Sequence, residues 1–163
     1  PKPSSAASDV YKRQVKKYLK DKTVNIEENC KYRADNIMMV PETQEEIDFD
    51  EAMAKVATDL ALERHCGYVE PAYSPCGVIY TQYGKDLLGV QYLIGTGGVL
   101  VHSKNPQDIL KAGVYTPEGI NSLKPQRPKY LLDKTYILSA MGLLSFELPD
   151  VAVRIMKKYL LEV

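Results

Sequence analysis

Apolar and polar positions alternate at helical spacing most clearly in the first half of the chain. Met53, Val56 and Leu60 recur on one side, with the small Ala57 and Ala61 beside them. Asp48 followed three residues later by Glu51 fits a capping box, in which each side chain satisfies an orphan backbone donor. Gly67 suits a left-handed stop. The pattern predicts a helix over Phe49–Cys66 whose small residues allow close packing against a sheet. Before it, Val15–Lys20 reads as the tail of a helix, and Asp21–Asn36 is polar and poorly patterned.

After the helix, Pro71, Pro75 and Gly77 predict a loop and Val78–Gln82 a short strand. A turn follows at Tyr83–Asp86, then a second strand, Leu87–Ile94. That strand runs into Gly95-Thr96-Gly97-Gly98 and the apolar Val99–Val101. Asn105 with Pro106 behind it marks a helix start, and Gly113 its end. Val114–Tyr130 contains three prolines and reads as a loop. Asp133 is placed to cap a helix over Lys134–Ser145, apolar nearly all round and therefore expected to be buried. A final helix begins at Pro149. Ala152, Ile155, Met156, Tyr159 and Leu160 form its apolar face, opposite Arg154, Lys157 and Lys158.

Composition narrows the function classes. At 163 residues the chain is long enough for one core. Lys plus Arg and Asp plus Glu both number 21. That balance argues against a nucleic-acid partner, which selects for a basic excess. No apolar run approaches the ~20 residues of a membrane span, and no charged-then-apolar leader is read. Cys30, Cys66 and Cys76 are odd in number without a C-x-x-C pair, which fits reduced thiols and a cytoplasmic location. The twelve tyrosines, with two phenylalanines and no tryptophan, point to no function.

The chemistry concentrates in the glycine bend. Without Cβ atoms, main chain at Gly95, Thr96, Gly97 and Gly98 turns tightly and comes close to a ligand. Just past a strand, such a bend is where α/β proteins hold nucleotides. Its spacing is neither the Rossmann nor the Walker pattern, so a different nucleotide loop and a plain tight turn both stay open. Gln82–Asp86 offers a lysine and a carboxylate at a hairpin tip, most simply a solvated turn with Asp86 bonding local backbone. His65 lies in the last turn of the long helix, far in sequence from His102, and no metal site is expected. Cys66 beside His65 does not make a catalytic pair, since adjacent helical residues diverge. Glu63 and Arg64 read as helix surface. No residue pattern identifies a catalytic group.

The first residues stand apart. Asp9–Gln14 back-translates to GATGTGTATAAGAGACAG, which resembles a transposase mosaic-end adaptor. Residues 1–14 are accordingly expected to be an adaptor read-through joined to a longer gene's product, and are left out of the fold.

Four segments occur in a telling order: VPETQEEIDF from Val40, ALERHCG at Ala61–Gly67, QYGKDLLGVQYLIGTGGVLVHS at Gln82–Ser103, and LDKTYILSAMGLLS at Leu132–Ser145. Together they resemble the C-terminal part of the MutL-like accessory proteins of adenosylcobalamin-dependent glutamate (methylaspartate) mutase, which are distinct from the mismatch-repair protein of that name. The resemblance implies an α/β fold: an incomplete second lobe, ribonuclease-H-like, of an actin-like ATPase, with a mixed sheet and packed helices over residues 15–163. It implies adenosine contacts from Gly97 and Gly98, with Gly95 and Thr96 shaping the bend, and a helix containing Ala140–Gly142 behind that pocket. It also implies ATP with magnesium in the intact protein, and adenosylcobalamin-dependent mutase subunits as partners. The activity implied is a reactivating chaperone that exchanges damaged cobalamin. An early Asp-Gly phosphate loop and the metal-binding and hydrolytic carboxylates have no match here, so this stretch alone is expected to be inactive. A small-molecule kinase lobe of the same superfamily and a nucleotide-free interaction domain are the alternatives.

Overall fold

The structure is a computed structural model and describes residue 12 and residues 14–163. The proposed adaptor segment lies outside the described residues apart from Lys12 and Gln14. Two compact units divide the chain, one ending at Ala57 and one spanning Thr58–Val163.

In the first unit, a helical stretch over residues 14–18 precedes α1 (Ile26–Asp35), and the long helix α2 starts at Gln44 and runs to His65. Helix α1 falls in a segment without apolar periodicity because only Ile26 is buried along it. Its start is instead fixed by polar chemistry. The Asn25 side chain accepts from the Glu28 amide at 3.3 Å, and Glu27 and Glu28 sit in the first turn, where the dipole favours acids. Arg33 joins α1 to α2. Its Nε donates to Asp50 at 2.5 Å, its Nη2 donates to the Glu46 carbonyl at 3.2 Å, and its guanidinium lies 4.4 Å from the centre of the Phe49 ring. Phe49, Ala52 and Val56 are the buried stripe of α2, and Val15, Leu19 and Ile26 are also buried in this unit. Ala57 and Ala61, expected inside, are exposed.

The capping box is five residues earlier than Asp48 and Glu51 would place it. The Glu46 amide donates to Thr43 Oγ1 at 3.3 Å, while Glu46 Oε2 accepts the amides of Thr43 at 3.0 Å and Glu42 at 2.9 Å. Asp48 is already inside the helix, where it pairs with Lys20 at 2.8 Å.

In the second unit, β1 (Tyr68–Ser74) and β2 (Gly77–Tyr83) form an antiparallel hairpin turning at Pro75 and Cys76. Pro71, expected in a loop, is accommodated within β1, whose ladder partner among the described residues is β2 alone, the other edge making one isolated bridge from Tyr68 to Ser122. The Gln82–Asp86 bend therefore leaves the hairpin at its base, not its tip, and Asp86 does bond local backbone, accepting from the Leu88 amide at 2.9 Å. Gly67 is not left-handed. It is required because Tyr83–Lys85 passes against it: its amide donates to the Lys85 carbonyl at 2.7 Å, and a Cβ would lie 2.7 Å from the Gly84 carbonyl carbon and overlap the Tyr83 carbonyl oxygen.

A three-stranded mixed sheet completes the unit. β3 (Tyr92–Gly95) pairs in parallel with β4 (Lys129–Leu132), which pairs antiparallel with β5 (Leu161–Glu162). Strand β3 is shorter than the sequence predicts because residues 88–89 form a turn. Helices α3 (Gly98–His102) and α4 (Pro106–Lys111) connect β3 to β4. Ile109, Leu110, Leu123, Leu132 and Ala152 form the buried core, beside an ion pair of 2.5 Å between Lys124 and Asp59.

Helix α5 (Ile137–Leu144) has no buried residue, contrary to the expectation from its all-round apolar sequence; Leu143 is 74% exposed. Helix α6 (Pro149–Tyr159) presents the predicted faces in part: Ala152 is buried and Ile155 and Met156 partly so, against exposed Arg154, Lys157 and Lys158, but Tyr159, expected on the apolar face, is exposed and Leu160 lies beyond the helix. Among the described residues no helix is long and apolar enough to cross a membrane.

Two outcomes test these assignments. Gly67→Ala should destabilise the second unit by about 3 kcal/mol, since backbone must move to admit the methyl. Gly113→Ala should cost about 1 kcal/mol or less, because the crowding atoms are the ends of the Leu62 and Thr58 side chains. Denaturant unfolding compares the two.

The amides of Thr43 and Glu42, in that order, hold the Glu46 carboxyl below the usual glutamate range. Its contribution is therefore complete above the unfolded value and is lost as pH falls through the folded one. Asp48, lowered first by its bond from Lys20, acts with the same sign. Glu46→Gln keeps an acceptor but cannot titrate, so thermal unfolding across pH 3–6 (a window set from about the model-peptide carboxyl values) should show a shallower acid decline.

Candidate functional site

Parallel pairing decides where the functional groups gather. Gly95 and Leu132 are partners at the ends of β3 and β4, so both following loops emerge from the same, C-terminal, edge of the sheet. In α/β proteins that edge is where ligands bind. The link continues one residue further, as the Asp133 amide donates to the Gly95 carbonyl at 2.9 Å.

The four residues of the glycine bend have different surroundings. Gly95 is buried beneath side chains: a Cβ there would lie 2.9 Å from Leu100 Cδ1 and 3.0 Å from Leu110 Cδ2. It shapes the bend and packs it, without a face free for a ligand. Thr96 is exposed. Gly97 turns the chain with φ +105°, a conformation that favours glycine, and has nothing within 4 Å of its Cβ position. Gly98 opens α3, and among the described residues beyond its own helix the atom near its Cβ position is Tyr136 Oη at 4.0 Å. Bare main chain is thus open at Gly97 and Gly98.

Loop 133–136 faces this opening from β4. Asp133 is buried (1% exposed), and its two oxygens accept the amides of Ile137 at 2.9 Å and Leu138 at 3.1 Å. It caps α5 as its sequence position predicts, from four residues before the helix. Both oxygens accept amides, so its carboxylate serves as the cap of α5. Tyr136 completes the loop with φ 55° and ψ 32°, the left-handed region that a tyrosine rarely enters. Its side chain is 48% exposed beside Gly98. No sequence signal marks Tyr136, since a tyrosine ahead of an apolar run has no special pattern.

The other singled-out residues lie elsewhere. His65 ends α2 and His102 ends α3, both exposed. The Cys66 sulfur lies 3.6 Å from Ser122 Oγ, and all three cysteines are free. Among the described residues no group of three or more His, Cys, Asp or Glu is placed to hold a metal ion. The arrangement offers open main chain and the phenol ring of Tyr136.

Two sheets with flanking helices, and a strand–glycine bend–helix at the end of a parallel pair, define a mixed α/β protein. The chain belongs to the family described as MutL protein, which it matches over residues 4–160. It is 67% identical over 151 residues to Protein MutL of Clostridium tetanomorphum, an alignment covering 93% of this chain and 33% of that protein. The chain therefore spans about a third of the length of the curated relative it matches. No solved structure matches. The family expected from the four sequence segments is the family found.

The role of Asp133 is open to a direct check. Asp133→Ala removes both amide acceptors and should lower stability by about 2 kcal/mol. Hydrogen exchange should quicken first at the Ile137 and Leu138 amides. Asp133→Asn keeps one oxygen acceptor and should retain part of the loss.

Proposed function

We propose that this chain supplies the adenosine-facing part of an ATP-dependent accessory protein that reactivates an adenosylcobalamin-dependent mutase of the glutamate type. The observation that carries the reading is the open main chain of Gly97 and Gly98 at the C-terminal edge of the β3–β4 pair, opposite Tyr136. A purine nucleoside can approach there without meeting a Cβ, and the Tyr136 ring offers an apolar flank for a base. Membership of the MutL family supports the mutase as partner.

On this reading the mixed sheet belongs to the second, ribonuclease-H-like lobe of an actin-like ATPase. ATP binds in a cleft whose other wall, with the groups for phosphate and magnesium, is contributed by other parts of the longer protein. Hydrolysis opens and closes the cleft, and that motion is passed to the mutase. On this reading residues here orient the nucleoside.

Calorimetric titration of ATP into the full-length protein tests the reading. Gly98→Val adds bulk in open space, so the melting temperature should hold while ATP affinity falls at least about tenfold, or ~1.4 kcal/mol. Unchanged affinity removes Gly98 from the site. ATPase activity stimulated by the mutase supports the chaperone, whereas phosphorylation of small acceptors would identify a kinase instead.

A further inference from the structure

The loop between α1 and α2 turns apolar side chains outward. Ile37, Met38 and Val40 are 84%, 88% and 74% exposed, and Met39 among them is half-buried. A run of apolar residues facing water is a mark of a contact surface. The loop is also pinned at both ends. The Asn36 amide and its Nδ2 both donate to the Tyr32 carbonyl, at 3.0 and 2.8 Å, and the Met39 amide donates to the Asn36 carbonyl at 2.9 Å. At the other end the Glu46 carboxylate holds the amides of Glu42 and Thr43. With Tyr32 and Thr43, the apolar residues line a groove of about 610 Å³ that lies wholly in the first unit.

The charge here is one-sided, in a chain that is neutral overall. From Asp35 to Met53 there are seven Asp or Glu and no Lys, Arg or His. Asp48 is paired with Lys20 and Asp50 with Arg33. Exposed Asp35 and Glu42 line the groove itself, and Glu45 is exposed in the first turn of α2. Such a rim repels phosphate, which argues against a nucleic acid or an anionic lipid surface, and it attracts Lys and Arg. Backbone chemistry then selects the form of the occupant. The amides of Asn36, Met39, Glu42 and Thr43 are already bonded, and Pro41 has none, so the loop offers no strand edge to an extended peptide. A helix satisfies its own backbone and needs only an apolar floor, which flexible methionine side chains shape to it.

We propose that this groove docks a basic amphipathic helix of a protein partner. The apolar stripe of that helix lies on Ile37, Met38 and Val40, and its Lys and Arg side chains face Asp35, Glu42 and Glu45. The inference rests on the α1–α2 loop and not on the nucleotide reading.

The test uses the full-length protein with carbon-13 labelled methionine methyls and no nucleotide. The probe is a synthetic helical peptide of Leu and Lys with its leucines on one face. A scrambled sequence of the same composition and a Leu–Glu counterpart serve as controls. The Met38 and Met39 methyl signals should shift on titration, with affinity at least about tenfold above that of either control, or ~1.4 kcal/mol. Two double variants, Met38→Ser with Val40→Ser and Glu42→Gln with Glu45→Gln, should each weaken binding at least about fivefold with little change in melting temperature, since all four side chains are exposed. Equal binding of the scrambled peptide would leave charge alone and overturn the apolar floor; equal binding of the Leu–Glu peptide would overturn the acidic rim. Unchanged affinity in either double variant would place the helix elsewhere and end the proposal. So would methyls shielded from a neutral paramagnetic agent before peptide is added, because the protein itself then fills the groove. Shifts on dilution of the protein alone would give the face to a second copy, and shifts caused by phosphatidylserine vesicles would give it to a membrane; both overturn the partner helix. ATP enters none of these outcomes, so this inference and the nucleotide reading can fail separately.

Discussion

The C-terminal edge of the β3–β4 pair depends on one residue's three hydrogen bonds. Asp133 follows β4, and its amide extends the β3–β4 connection by bonding the Gly95 carbonyl. Its buried carboxylate holds two amides at the start of α5. One side chain thus couples the glycine bend, the end of β4 and the entry of α5. A buried carboxylate is tolerable only with such partners. The same pairing fixes the position of Tyr136 against Gly98. Geometry that looks like a loose collection of loops is tied together at Asp133.

Much of this was legible in local sequence, and the failures have identifiable physical causes. Asp48 and Glu51 have capping-box spacing, but Thr43 and Glu46 have it as well, and the earlier pair forms it. Spacing alone does not rank two such pairs. Helix α1 was hidden because capping and an Arg33 clasp, not an apolar stripe, position it. Strand β1 was obscured by Pro71, which an edge strand admits. Strand β4 lies at the end of a proline-rich stretch and owes its existence to pairing with β3, a contact distant in sequence. The α5 expectation failed for a different reason: an apolar sequence states a need for cover, not which residues provide it.

For the site, the glycines were visible and their division of labour was not. Gly95 accommodates Leu100 and Leu110, whereas Gly97 and Gly98 leave main chain open. Only the path of the neighbouring residues separates packing from access. The resemblance to MutL-like proteins identified the family. Tyr136 could be found only once β4 and its loop were in place.

Tyr136 carries one last implication. Holding a tyrosine at φ 55° costs on the order of 1–3 kcal/mol that glycine would largely avoid. Its ring is half exposed and so recovers little of that cost through burial. At this position tolerance for the ring and ease of folding pull in opposite directions. A screen for stability alone would select against the aromatic side chain at this position.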